Sequence, residues 1–362
     1  MKPWLILLFG CGLASLAAEP RLPRDQLLLA RDARGEVTPV RSPADWPRRR
    51  AEIVRGMESV MGPLPRPLIQ ESLDPRVVEE VDCGTYVRRR LTYQSERGNR
   101  VPAYLCIPKA VLLAQDGTQA PAVLCLHPTD TVVGAGVVVG LGPRPNRSYA
   151  SELAARGYVT IAPGYPHLAD YAPDIFGLGY ASGTMKAIRD NQRALDLLET
   201  LPYVRRGGFG VIGHSLGGHN AVYTAVFEPR LVAVVSSCGL DSYLDYYGGR
   251  PEVWKHGKGW CQDRYMPRLA EYAGRLDEIP FDFHEMIAAL APRPVFVSAP
   301  LRDGNFQWQS VDRVAAAARE VYRLHGVGDL LRVEHPDSDH DFPDAMREIA
   351  YQLFDSVLRP AR

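Results

Sequence analysis

The sequence predicts an α/β fold: a mostly parallel central sheet with helices on both faces. Three observations carry that prediction. From Pro121 onward, short apolar strand-like runs alternate with segments of helical spacing. Ahead of them, two alternating runs, Thr85–Tyr93 and Val101–Ile107, flank the turn-rich Ser95–Asn99 and read as an antiparallel hairpin at the sheet's edge. The chain has 362 residues, 46% of them hydrophobic, which suffices to cover such a sheet on both sides.

Residues 19–41 are polar and read as an extended arm. Ser42-Pro43-Ala44-Asp45 then has the form of a helix start, and the helix should run to Met61 and stop at Gly62-Pro63. After the hairpin, Ala122–Leu126 reads as a strand, Tyr149–Arg156 as a helix with Ser148 as N-cap, and Tyr158–Ala162 as a strand. Met185–Leu201 has helical spacing. Gly208–Ile212 (strand), Gly217–Phe227 (helix) and Leu231–Val235 (strand) follow. The rhythm resumes with strand Val295–Ala299, helix Val311–Leu324, strand Leu330–Glu334 and helix Asp344–Leu358. Residues 241–290 interrupt it and carry nine aromatics, about twice the chain's 9% average. Such an insertion is read either as a flap packed on the core or as a binding surface.

MKPWLILLFGCGLASLAAEP has the form of an export leader: a lysine, an apolar run too short to span a bilayer, then Ser15-Leu16-Ala17 as a small-x-small cleavage site. Residues 1–17 are the expected leader, 18–75 an arm and helix, and 76–360 the catalytic domain. Leu8-Phe9-Gly10-Cys11 only loosely matches a lipoprotein box, so export without lipidation at Cys11 is expected. The protein should be secreted or periplasmic, with no membrane-integral segment after the leader is removed. Beyond Cys11, five cysteines remain, an odd number that leaves one thiol free of intramolecular pairing. Basic and acidic residues balance at 42 each, so no global field points to nucleic acid or an anionic membrane.

Gly213-His214-Ser215-Leu216-Gly217 matches G-x-S-x-G, between a strand and a helix. That is the context of a nucleophile elbow, where a serine on a sharp turn requires small neighbours two residues away on either side. His127-Pro128 follows a strand; Gly157-Tyr158-Val159-Thr160-Ile161-Ala162-Pro163 and His340-Asp341-Phe342-Pro343 occur further along. With the elbow, these segments resemble the α/β-hydrolase superfamily. More narrowly, roughly residues 75–360 resemble secreted bacterial hydrolases of the dienelactone hydrolase and acetyl xylan esterase type.

The resemblance implies the chain order nucleophile, acid, histidine. Ser215 is then the nucleophile. Asp303 and Asp241 both follow strands as candidate acids, and the later position favours Asp303. His340, between the last strand and last helix, is favoured over His335. His214 and His219 flank the elbow but are not expected to act as base. The oxyanion donors should be the N–H groups of Leu216 and, because Pro128 has none, Thr129, with His127 bracing the loop. The alternating acids around His340 lack the glycine and terminal glutamate of a calcium loop, and the cysteines lack zinc-ligand spacing, so no cofactor or metal is expected. The expected activity is hydrolysis of a carboxylic ester through an acyl-enzyme, on a small molecule or acylated carbohydrate. Other readings are a dienelactone-type lactone hydrolase, a peptidase of the prolyl-oligopeptidase kind, which usually carries a large N-terminal domain not seen here, or a non-catalytic binding protein. Oligomeric state is not set by the sequence.

Overall fold

The computed structural model describes residues 21–65 and 71–359. The leader, its cleavage site and Cys11 lie outside the described residues. The arm is not fully extended: β1 (Leu29–Arg31) and β2 (Val37–Pro39) pair as a small antiparallel sheet. Helix α1 spans Trp46–Met61, with Asp45 and not Ser42 at the N-cap position, three residues later than expected. The Asp45 carboxylate accepts hydrogen bonds from the Ser42 N–H (3.0 Å) and hydroxyl (2.9 Å), which closes a turn before the first helical residue.

The main sheet has nine strands among the described residues: β3 (Arg76–Asp82), β4 (Tyr86–Glu96), β5 (Asn99–Pro108), β6 (Ala122–Leu126), β7 (Val159–Pro163), β8 (Phe209–His214), β9 (Leu231–Ser237), β10 (Val295–Ser298) and β11 (Leu331–Glu334). Their order is β11-β10-β9-β8-β6-β7-β5-β4-β3. From β11 across to β7 every pairing is parallel; β5, β4 and β3 add an antiparallel edge. β6, β7 and β8 are buried along their whole length, as expected of parallel strands covered on both faces. β3 is an addition to the expected hairpin. Its RVVEEVD is mostly exposed, so it lacks the alternation that marks a half-buried strand, and among the described residues it pairs with β4 alone.

Two apolar layers sandwich the sheet. Along β6, Leu124 and Leu126 face one layer, and Val123 and Cys125 the other. The first layer holds α1, α4 (Gly183–Thr200), α5 (Leu216–Phe227) and α7 (Trp308–Leu324); the second holds α3 (Tyr149–Ala155) and α8 (Asp344–Leu358). Ser182 caps α4 by accepting the Met185 N–H at 3.1 Å. All of α5 but its last residue, Phe227, is buried, which holds the central strand-turn-helix unit in the core. The 241–290 insertion is built of short 3₁₀ turns and α6 (Phe283–Ala288). Seven of its nine aromatics, Trp254, Phe281 and Phe283 among them, are buried in the first layer. The insertion is therefore a flap packed onto the core. The five described cysteines are all unpaired. No described helix is long and apolar enough to cross a membrane.

Candidate active site

Strand β8 lies near the middle of the sheet, and its C-terminal end meets the N-terminus of α5 with one residue, Ser215, between them. Ser215 has φ 56° and ψ −122°, a strained conformation for a residue with a side chain. Its N–H donates to the Ser237 carbonyl (2.8 Å) and its carbonyl accepts the His219 N–H (2.9 Å). Glycine is required on both sides. A Cβ at Gly213 would collide with the carbonyl of Gly217, and a Cβ at Gly217 with the carbonyl oxygen of Leu126. The backbone is thus held by its neighbours in the turn that lifts a serine hydroxyl off the sheet.

Asp303, in the loop after β10, and His340, in the loop after β11, meet here. His340 Nδ1 lies 2.9 Å from both carboxylate oxygens of Asp303. Asp303 Oδ1 also accepts the N–H of Asn305 (2.8 Å) and of Phe306 (3.3 Å). The Asp303 side chain is 1% exposed and that of His340 21%. Only the imidazole therefore reaches the cavity. With Nδ1–H donated to the carboxylate, Nε2 is the nitrogen left to accept a proton. His340 and Ser215 line one cavity of about 220 Å³, together with Thr129, Arg144, Arg147, His214 and Asn305.

The remaining sequence candidates sort by their partners. Leu216 is the first residue of α5, so its N–H is one of the free donors at that helix's N-terminus. Thr129 lies on the cavity wall, its hydroxyl 3.3 Å from that of Tyr265. His127 spans the loop base: Nε2 accepts the Tyr165 N–H (3.0 Å), which makes Nδ1–H the donor to the Pro128 carbonyl (2.7 Å). Burial holds its pKa down at about 4, so it stays neutral. His335 is occupied at both nitrogens, by the Ala299 carbonyl (2.8 Å) and Asp312 (3.0 Å). His214 stacks on Phe342 and sits 3.1 Å from the Ser237 hydroxyl; burial, Arg147 and His340 keep it neutral. His219 is sandwiched by Trp260 and Tyr223, and burial pushes its pKa down to about 3. Asp241 is buried, and among the described residues no imidazole hydrogen-bonds to it; it accepts the Gln307 N–H at 3.2 Å.

Sequence reading missed two neighbours. Arg147 donates to the His340 carbonyl (3.0 Å) and pairs with Asp341, clamping the loop that carries the imidazole. Cys238 closes β9 beside Asp303 and His340, its thiol donating to the Asp341 carbonyl at 3.2 Å. Both contacts join loops about 100 to 200 residues apart, and no local spacing announces them.

Comparison with known proteins finds esterases. A family model described as glucuronyl esterase, fungi, matches residues 174–326. The chain is 24% identical over 343 residues to 4-O-methyl-glucuronoyl methylesterase 1 of Wolfiporia cocos (strain MD-104), covering 89% of this chain and 78% of that protein. A glucuronoyl esterase from Solibacter usitatus superposes with a TM-score of 0.72 at 21% identity, over 93% of this chain and 98% of the other. A carbohydrate esterase family 15 glucuronoyl esterase from Caldicellulosiruptor kristjansonii gives 0.67 at 19%, over 95% and 91%. The solved structures establish the fold, that of the α/β-hydrolases. The chain is a serine hydrolase acting on carboxylic esters.

Proposed function

We propose that this serine hydrolase is a secreted esterase that cleaves the ester of a sugar acid, with Ser215 as nucleophile, His340 as general base and Asp303 as the acid that orients it. The observation that carries the assignment is the Asp303–His340 pair at 2.9 Å, facing the cavity that Ser215 also lines. Nε2 of His340 takes the hydroxyl proton as Ser215 attacks the carbonyl. Asp303 holds the tautomer and stabilises the imidazolium that results. The N–H groups of Leu216 and Thr129 receive the oxyanion, each such donor contributing on the order of 3 kcal/mol in the transition state. Nε2 then protonates the leaving alcohol. Water attacks the acyl-enzyme with His340 again as base.

The relatives named as glucuronoyl methylesterases support an acyl group that is a uronic acid. Tyr247 is 37% exposed and its hydroxyl donates to Asn305 on the cavity wall at 2.8 Å, which offers an aromatic face to a sugar ring. The leader at residues 1–17 supports export to where such polymers occur.

The test is an ester panel on the mature chain and Ser215→Ala. The methyl ester of glucuronic acid should be hydrolysed with a higher kcat/KM than p-nitrophenyl acetate, and Ser215→Ala should lose at least ~10⁴-fold on both. Acetate cleavage without uronate-ester cleavage overturns the substrate. Undiminished activity in Ser215→Ala overturns the nucleophile.

A further inference from the structure

We infer that Cys238, Asp303 and His340 form a binding site for a soft divalent cation such as zinc or cadmium, whose occupancy switches the esterase off. The inhibitory half of this inference rests on the triad proposed above; the site itself does not.

Cys238 directly follows β9, and Asp303 and His340 lie in the loops after β10 and β11. A thiol sulfur, a carboxylate oxygen and an imidazole nitrogen all come within 4.8 Å of one another. Tetrahedral zinc, with bonds of about 2.0 to 2.3 Å, separates its donors by roughly 3.5 Å. Side-chain rotation of about an ångström therefore gathers them around one ion. The set mixes sulfur, nitrogen and oxygen, which suits zinc or cadmium and not magnesium or calcium.

Each donor is held before any cation arrives. Cys238 has φ 48°, a left-handed backbone that a side-chain-bearing residue adopts only under constraint, and its N–H donates to the Ser298 carbonyl at 2.9 Å. Asp303 is fixed by the N–H groups of Asn305 and Phe306, and the His340 loop by Arg147. His340 opens onto the catalytic cavity, which supplies an entry path.

The proton balance explains the inhibition. Without the cation, Nδ1–H donates to Asp303 and Nε2 is free. Burial keeps the Cys238 sulfur a thiol. The cation takes the lone pair of Nδ1, so the ring proton resides on Nε2. It also takes the sulfur as thiolate, and that proton leaves to solvent. One proton is released per cation. An imidazole protonated at Nε2 cannot accept the proton of Ser215, so the block is complete.

The test titrates Cd²⁺ into chelator-stripped mature enzyme, reading ester hydrolysis and the ultraviolet thiolate-to-cadmium absorption side by side, with Mg²⁺ as control. One Cd²⁺ per chain should raise the absorption and abolish turnover in step, chelator should restore the rate, and Mg²⁺ should do neither. Cys238→Ala and Cys238→Ser should each lose the absorption and need at least ~100-fold more Cd²⁺ for half-inhibition, measured against their own cation-free rate. Cys83→Ser, at the more exposed thiol, should behave as wild type. No absorption in folded wild type, an absorption that survives both Cys238 substitutions, or inhibition unchanged by them would overturn the site. If no ester is turned over, the absorption and its loss in the variants still decide the cation site, and the failure belongs to the proposed function.

Discussion

The side chains of Asp241, in the loop after β9, and Asp303, in the loop after β10, are both sealed from solvent, yet their surroundings differ. Asp303 accepts two backbone N–H groups and faces an imidazole that can share its charge. Asp241 has the Gln307 N–H at 3.2 Å, and burial first, then the neighbouring acids Asp245, Asp282 and Asp303, push its pKa up to about 8. Burial by itself favours the protonated carboxyl, so a buried acid fitted for catalysis needs donors and a cation aimed at it.

The sharpest way to break the contrast is to remove each charge in turn. Asp303→Asn should lower kcat by about 10³- to 10⁴-fold, by loss of the correct imidazole tautomer. Asp241→Asn should change it only a few-fold. Steady-state kinetics on a p-nitrophenyl ester decides, and the reverse order would move the acid to the loop after β9.

Stability against pH sharpens the same comparison. The folded Asp241 pKa of about 8 stands above the unfolded value of about 3.9, so the folded state holds this proton more tightly. Its contribution is intact below the unfolded pKa and is lost as pH rises through the folded one, a window of roughly pH 4 to 8. Asp241→Asn stays neutral and escapes that loss. It should be more stable than wild type at pH 8, by about a few kcal/mol, with the difference shrinking by pH 5. Thermal melts at the two values test this; an equal shift at both contradicts it.

The smallest effect is expected from a link that joins the same region superficially. Arg302, beside Asp303, pairs with Asp337 and Asp339 of the His340 loop, but all three side chains are more than half exposed. Arg302→Ala should cost no more than ~0.5 kcal/mol in urea unfolding and leave kcat/KM within two-fold. A larger loss would mean that the surface pair, and not the buried Arg147 clamp, positions His340.

What was legible in the sequence were features with local causes. Glycine at 213 is demanded by a collision four residues away, with Gly217, and glycine at 217 by the end of the neighbouring strand at Leu126, yet both fall inside one five-letter motif, so the elbow shows in the sequence. Fully buried parallel strands write themselves as continuous apolar runs. β3 escaped because an exposed edge strand has no core side to record. The aromatic enrichment of 241–290 was plain, but composition does not say which way a ring points, and most of these rings turn inward. Cys238 and Arg147 escaped because their partners lie in distant loops that only the folded sheet brings together.

The central claim is that Ser215 is activated by His340. Reaction of the mature enzyme with a fluorophosphonate, followed by intact mass and peptide mapping, tests it most directly. One adduct on Ser215, with labelling slowed by orders of magnitude in His340→Ala, is the predicted result. A folded chain that stays unlabelled, an adduct elsewhere, or labelling indifferent to His340 would contradict it.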